Sequence, residues 1–182
     1  MRKFGIREIV AIGIGTALFV VLTEVQIPTG IPNTSLQPRM AVLGFLAAVF
    51  GPWVGAIIGL LGHALGDAIF YGSVWWSWVF PEAVVGIAIG MFSKKFAVME
   101  GGFDKKNIIL FNIVQVIANA VAWIGLAPVL DIIVYAEPAN KVFIQGVFAF
   151  IGDIVIVGVL GSLLLVAYSK VAGKSSSLKK ED

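Results

Sequence analysis

Five ionisable side chains, Glu24, His63, Asp67, Glu82 and Asp153, interrupt stretches that are otherwise apolar. An ionisable group in a membrane span costs about 2.5–3.5 kcal/mol on insertion scales, so such groups face a protein interior or a cavity. His63 and Asp67 are four residues apart and share one face of a helix. They either line a binding site or satisfy each other as a buried pair. Glu82 follows Trp78 by one helical turn, which sets a hydrogen-bond acceptor beside an aromatic wall. That combination suits noncovalent capture of a heteroaromatic ring, bonded at its edge and stacked on its face.

A second polar row, Asn112, Gln115, Asn119 and Trp123, recurs at spacings of three, four and four, one continuous helical stripe. It serves either a ligand or the hydrogen bonding of one membrane helix to another. Gln145 and Asp153 lie on a later helix, and the loop IPTGIPNTSLQP carries Asn33; both close the same region. The expected substrate-binding set is therefore Asn33, His63, Asp67, Trp78, Glu82, Asn119, Trp123 and Gln145. Tyr71, Trp75 and Trp76 fit the interfacial aromatic belt of a membrane protein, and Trp78 is divided between belt and site.

Signatures of catalysis are missing from the sequence. It has no G-x-S-x-G elbow, no H-E-x-x-H, no cysteine and a single histidine, so neither a catalytic residue nor a histidine-rich metal site is expected. Gly173-Lys174-Ser175 matches the end of a P-loop, but Tyr168 stands where the motif needs glycine, and no nucleotide cofactor is expected in this chain.

The elements that must hold these groups follow from hydropathy. The chain has 182 residues, 59% of them hydrophobic and 13% charged, with a mean hydropathy of +0.97. That balance predicts an all-α, polytopic membrane protein. Apolar segments near 7–25, 39–51, 53–72, 75–93, 107–129 and 141–169 predict six transmembrane helices, with Gly51-Pro52 dividing the second from the third. The first run lacks an A-x-A-type site and is expected to stay as a helix rather than be cleaved. With both termini cytoplasmic, all of the 13 Lys and Arg residues except Arg39 and Lys141 fall on the inner side. Five spans would carry Lys94, Lys95, Lys105 and Lys106 outside. The expected organisation is a multi-pass cell-membrane domain over residues 1–172 and a disordered cytoplasmic tail over 173–182.

The first helix carries overlapping small pairs, Ala11 with Gly15 and Gly13 with Ala17. Such spacing admits another helix backbone at close range, either from a partner or from inside the bundle. Gly51, Gly55, Gly59, Gly62 and Gly66 form a similar row on the third helix and fit internal packing. With these patterns, the long first loop and the polar and aromatic outer halves of the later helices, the chain resembles the S components of energy-coupling factor (ECF) vitamin transporters. The stretches AIGIGTALFVVL, IPTGIPNTSLQP and GHALGDAIFYGSVWWSW are similar to one branch grouped with them.

The resemblance covers nearly the whole chain and implies a vitamin bound in the outer half. It also implies docking through the first helix, at Ala11, Gly13, Gly15 and Ala17, onto a transmembrane coupling subunit driven by two ATPase subunits. ATP would be used by those partners, and nucleic acid by none. The family pattern there is Ala-x-x-x-Ala, so the register on this chain stays open. With Arg39 and Lys141 as the cations near the outer face, neutral or weakly basic rings are expected: hydroxymethylpyrimidine, pyridoxine-like or thiamine-like compounds. Riboflavin stays open on charge. A self-contained secondary transporter and a membrane scaffold are the other classes, although no internal repeat of the first kind is visible.

Overall fold

The computed structural model describes residues 4–32 and 34–178, and only the backbone of 174–178. Asn33 and residues 179–182 lie outside the described residues. The chain opens with α1 (Ile6–Leu22) and then a two-stranded antiparallel ribbon, β1 (Ile27–Pro28) with β2 (Ser35–Leu36), paired Ile27 to Leu36 and Pro28 to Ser35. Helices α2 (Arg39–Phe50), α3 (Pro52–Phe70), α4 (Trp76–Gly90) and the short α5 (Ser93–Phe96) follow. Two long rods complete the bundle. The first joins α6 (Lys105–Asn119) through a π-helical turn, Ala120–Leu126, to α7 (Ala127–Tyr135). The second joins α8 (Ala139–Ile156) through another, Val157–Gly161, to α9 (Ser162–Leu178).

The fold is overwhelmingly helical, as its composition dictates, and the ribbon is the one departure from helix among the described elements. Among the described residues, three helices, Pro52–Phe70, Lys105–Tyr135 and Ala139–Gly173, are long and apolar enough to cross a membrane. The others are shorter: 17 residues in α1, 12 in α2 and 15 in α4. Twelve residues rise only about 18 Å against a hydrocarbon core of about 30 Å.

The break between α2 and α3 is where proline required it. Gly51 adopts φ +96°, a conformation that side chains rarely reach, and Pro52 opens α3 at the position where its missing N–H is harmless. The rod of α6 and α7, the expected fifth helix, runs to Tyr135, past the expected end near 129. At the C-terminus α9 continues to Leu178, into the segment expected to be a disordered tail; extending an established helix costs far less than nucleating one.

Phe19, Leu43, Ile58, Ile89 and Phe111 are fully buried at the centre. Outward faces are apolar too, including Ile6, Val21, Ile133, Leu163 and Val171. A large exposed apolar surface of this kind suits lipid rather than water. Helices α3 and α4 form the most extensive pairing. Gly55 and Gly59 lie against the α4 backbone, and a Cβ at Gly59 would come within 2.9 Å of the Glu82 carbonyl oxygen. That close approach fixes where Glu82 enters the bundle.

Candidate functional site

Arg39 at the start of α2, His63 and Asp67 on α3, and Glu82 on α4 meet inside the end of the bundle that carries the ribbon and the α3–α4 turn. All are buried, at 7%, 7%, 6% and 1% exposure respectively. His63 bridges two carboxylates: its Nδ1 lies 2.5 Å from Glu82 Oε2 and its Nε2 lies 3.4 Å from Asp67 Oδ1. Arg39 approaches Glu82 Oε1 at 3.8 Å, donates to Thr23 Oγ1 at 3.3 Å and covers the Phe19 ring at 4.8 Å. Asp153 on α8 is buried within electrostatic reach of Glu82, Arg39 and His63.

The charges are paired, but their hydrogen bonds are incomplete. Arg39 Nε, His63 Nδ1 and Glu82 Oε2 have no aligned hydrogen-bond partner among the described residues. Buried polar atoms in this condition are uncommon, because each loses its water without full replacement.

Beside this cluster runs a ladder of amides and indoles. Asn112 donates to Ser162 Oγ at 3.0 Å, Gln115 to the Ile154 carbonyl at 3.2 Å, Asn119 to Gln115 Oε1 at 3.2 Å, and Trp123 Nε1 to Asn119 Oδ1 at 2.9 Å. The Trp123 ring stacks on Trp78 with centroids 5.7 Å apart and planes at 22°. One turn separates Trp78 from Glu82 on α4, so the two groups of residues join there.

The structure therefore brings His63, Asp67 and Glu82 into one cluster and Trp78, Asn119 and Trp123 into its neighbour. Gln145 sits further out, where it donates to the Pro32 carbonyl at 2.8 Å and ties the first loop to α8. Asn33 lies outside the described residues. Glu24 does not join the site, because it is exposed in the turn after α1.

Two site residues escaped the sequence reading. Arg39 was expected as an outer-face cation and instead sits within the cluster. Asp131 lay beyond the expected end of the fifth helix; it is 2% exposed and accepts hydrogen bonds from Trp75, Ser77 and Trp78. Trp75, read as a belt residue, is thereby tied to the bundle. Its backbone N–H also donates to Asp67 Oδ2 at 3.0 Å.

The expected docking stripe on α1 divides between two faces. Ala11 and Gly15 are buried, and a Cβ at Gly15 would lie 2.5 Å from Leu46 Cδ1 and 2.6 Å from Ile58 Cδ1. Those two residues serve the interior, because the turn of the helix points them at α2 and α3. Gly13 and Ala17 are exposed, with nothing within 4 Å of a Cβ at Gly13.

A helical, lipid-compatible bundle with a buried polar and aromatic cluster at one end defines the class: a membrane protein built around an internal polar site. Comparison with known proteins gives the family. The family model described as "ECF-type riboflavin transporter, S component" matches residues 3–170. A UPF0397 protein of Exiguobacterium sp. is 52% identical over 182 residues, covering 100% of both chains. UPF0397 proteins of Streptococcus gordonii and Clostridium perfringens are each 48% identical, over 98% and 99% of this chain and 96% and 98% of their own. The chain belongs to the S-component family of ECF-type transporters. Membership implies association with other ECF transporter components, and the family is one of transporters rather than enzymes.

Proposed function

We propose that this protein is the substrate-binding subunit of an ECF transporter, taking up a small heteroaromatic vitamin or vitamin precursor from outside the cell. The observation that carries this reading is the convergence of Arg39, His63, Asp67 and Glu82 beside the Trp78–Trp123 stack inside an apolar bundle. Residues with these chemistries capture a planar ring from two directions. Carboxylate and imidazole groups bond its edge, and indole supports its face.

The preference for a neutral or weakly basic ring survives the inward placement of Arg39. Glu82 offsets the guanidinium, and both Asp67 and Glu82 face His63, so no cation is left over for an anionic ligand. Hydroxymethylpyrimidine, pyridoxine-like and thiamine-like compounds fit a cluster in which each cation faces a carboxylate. Riboflavin is the second reading, favoured by the description of the matching family model. A secondary transporter working alone is the remaining alternative, and persistence of uptake without ATPase partners would establish it.

In this reading the chain crosses the membrane six times with both termini in the cytoplasm, and the ribbon end faces outward. Gly13 and Ala17 present the small surface for the coupling subunit, while two ATPase subunits consume ATP. The topology is testable with single cysteines, since the chain has none. A cysteine at Gly30 should react with an impermeant external reagent and one at Gly101 should not. Identification of the small molecule that co-purifies with the chain, followed by calorimetry with hydroxymethylpyrimidine and riboflavin, tests the ligand. Purified, folded protein that binds no vitamin-like ring would overturn the assignment.

A further inference from the structure

We infer that Asp131 is the positioning residue for the aromatic half of the site, holding its tryptophans so that they offer a ligand their faces and none of their hydrogen bonds. The inference rests on the ligand-binding reading above but concerns a residue outside the set expected from sequence. Asp131 Oδ1 accepts from Trp75 Nε1 at 2.6 Å and from Ser77 Oγ at 2.5 Å, and Oδ2 accepts from Trp78 Nε1 at 3.0 Å. Trp123 Nε1 is taken by Asn119 at 2.9 Å. All three indole N–H groups around the site are thus bonded to protein acceptors.

The placement of Asp131 follows from the shape of its rod. Asn119, Trp123 and Asp131 are separated by four and eight residues, a spacing that drifts around the axis of an unbroken α-helix. The π turn Ala120–Leu126 is wider, with hydrogen bonds to the fifth residue, and takes back part of that drift. Asp131 consequently reaches the start of α4, where Trp75, Ser77 and Trp78 are gathered. Tyr135, one turn further, stacks on Trp75 with centroids 4.4 Å apart, and its Oη accepts from the Trp76 backbone N–H at 3.2 Å.

A buried carboxylate needs several donors to replace its water, and here Trp75, just before α4, and Ser77 and Trp78 in its first turn supply all three. The consequence for recognition is a division of labour. The indoles select for planarity and area, while polar selectivity falls to Glu82, His63, Asp67 and Arg39. Asparagine at 131 keeps an acceptor for Trp75 and Ser77 but turns an NH2 toward the Trp78 N–H, so it should preserve part of the arrangement.

The test uses the full chain purified in detergent, with hydroxymethylpyrimidine and riboflavin as probes and near-ultraviolet circular dichroism as a direct view of the indoles. Asp131→Leu should lower affinity for the bound probe at least 10-fold and alter the indole dichroism, with Asp131→Asn intermediate in both. Trp78→Phe, which keeps a ring but loses its tether to Asp131, should lower affinity about as much as Asp131→Asn, and Trp78→Leu, which removes the ring as well, should lower it further. Parental affinity or superimposable dichroism in Asp131→Leu would overturn the inference, as would parental affinity in Trp78→Phe. If Asp131→Leu does not fold, Asp131→Asn and Trp78→Phe decide. If the parent binds neither probe, the choice of ligand class fails, and the dichroism of Asp131→Leu and Asp131→Asn still decides whether Asp131 holds the indoles.

Discussion

On α2, α3 and α4 the charged groups approach one another at 3.8, 3.4 and 2.5 Å, yet Arg39 Nε, His63 Nδ1 and Glu82 Oε2 lack aligned hydrogen bonds. Along α6 and α7 the arrangement is the reverse. Asn112, Gln115, Asn119 and Trp123 each pass an N–H to a well-placed acceptor, and Asp131 collects three more. Coulombic attraction in a low-dielectric interior falls slowly with distance and tolerates poor alignment, whereas a neutral hydrogen bond is lost with its geometry. The first region is held together by charge, with Arg39 Nε left without a partner among the described residues; in the second each of these groups has an aligned hydrogen bond. In the proposed binding function, the one region would select a ligand and the other would support it.

The largest effect should come from removing the one permanently charged cation of the charged region. Arg39→Met leaves Glu82 and Asp67 with only His63, and breaking a buried pair by deleting one partner costs about 3–5 kcal/mol. Thermal unfolding in detergent should show this loss to exceed that of Asn119→Ala, where one neutral hydrogen bond is worth about 1 kcal/mol. A smaller loss in Arg39→Met would erase the distinction between the regions.

Glu82→Gln sharpens the comparison through binding. The substitution keeps the shape and one acceptor but removes the charge that a ring N–H would meet. Hydrogen bonds to a charged group are worth about 1.5–3 kcal/mol, so affinity should fall roughly 10- to 100-fold by calorimetry. Folded Glu82→Gln with parental affinity would return the cluster to a structural role.

The two faces of α1 offer a further contrast. Gly15→Leu drives a side chain into Leu46 and Ile58 and should cost about 1–3 kcal/mol by overpacking. Ala17→Leu lies on the exposed face and should leave stability and ligand binding intact, while co-purification with a coupling subunit is lost. Retained co-purification in Ala17→Leu, measured beside a Gly13→Leu control, would remove α1 from the docking surface.

These contrasts also mark what could be read from the residues alone. The α2–α3 break was legible because Pro52 cannot continue a helix and Gly51 alone tolerates the turn. His63, Asp67, Trp78 and Glu82 were legible because ionisable and aromatic groups are expensive to place at random in an apolar segment. Arg39 was visible as a charge, but its inward direction depends on how α2 packs against α3 and α4, which periodicity within α2 does not contain. The overlapping pairs on α1 have the same spacing, so nothing local distinguishes the face toward Leu46 and Ile58 from the face toward a partner. Asp131 was hidden because hydropathy ends the fifth span near 129, while the helix itself runs on to Tyr135.

The smallest effect separates two adjacent tryptophans that sequence patterning treats alike, since both fit an interfacial belt. Trp75 and Trp76 are comparably exposed, at 38% and 44%, so exposure does not tell them apart. Their partners do. Trp75 donates its indole N–H to Asp131 and stacks on Tyr135, whereas the Trp76 ring lies tilted against Phe80 with centroids 5.6 Å apart. Phenylalanine at 76 keeps the aromatic contact and the backbone N–H that meets Tyr135, and a surface change of this kind stays within about 0.5 kcal/mol. Phenylalanine at 75 keeps the stack but withdraws one of three donors from a buried carboxylate, which should cost about 1.5 kcal/mol. Thermal unfolding of the two variants in the same detergent resolves a difference of that size. Equal melting temperatures would mean that Asp131 is satisfied by Ser77 and Trp78 alone, and that Trp75 belongs to the belt after all.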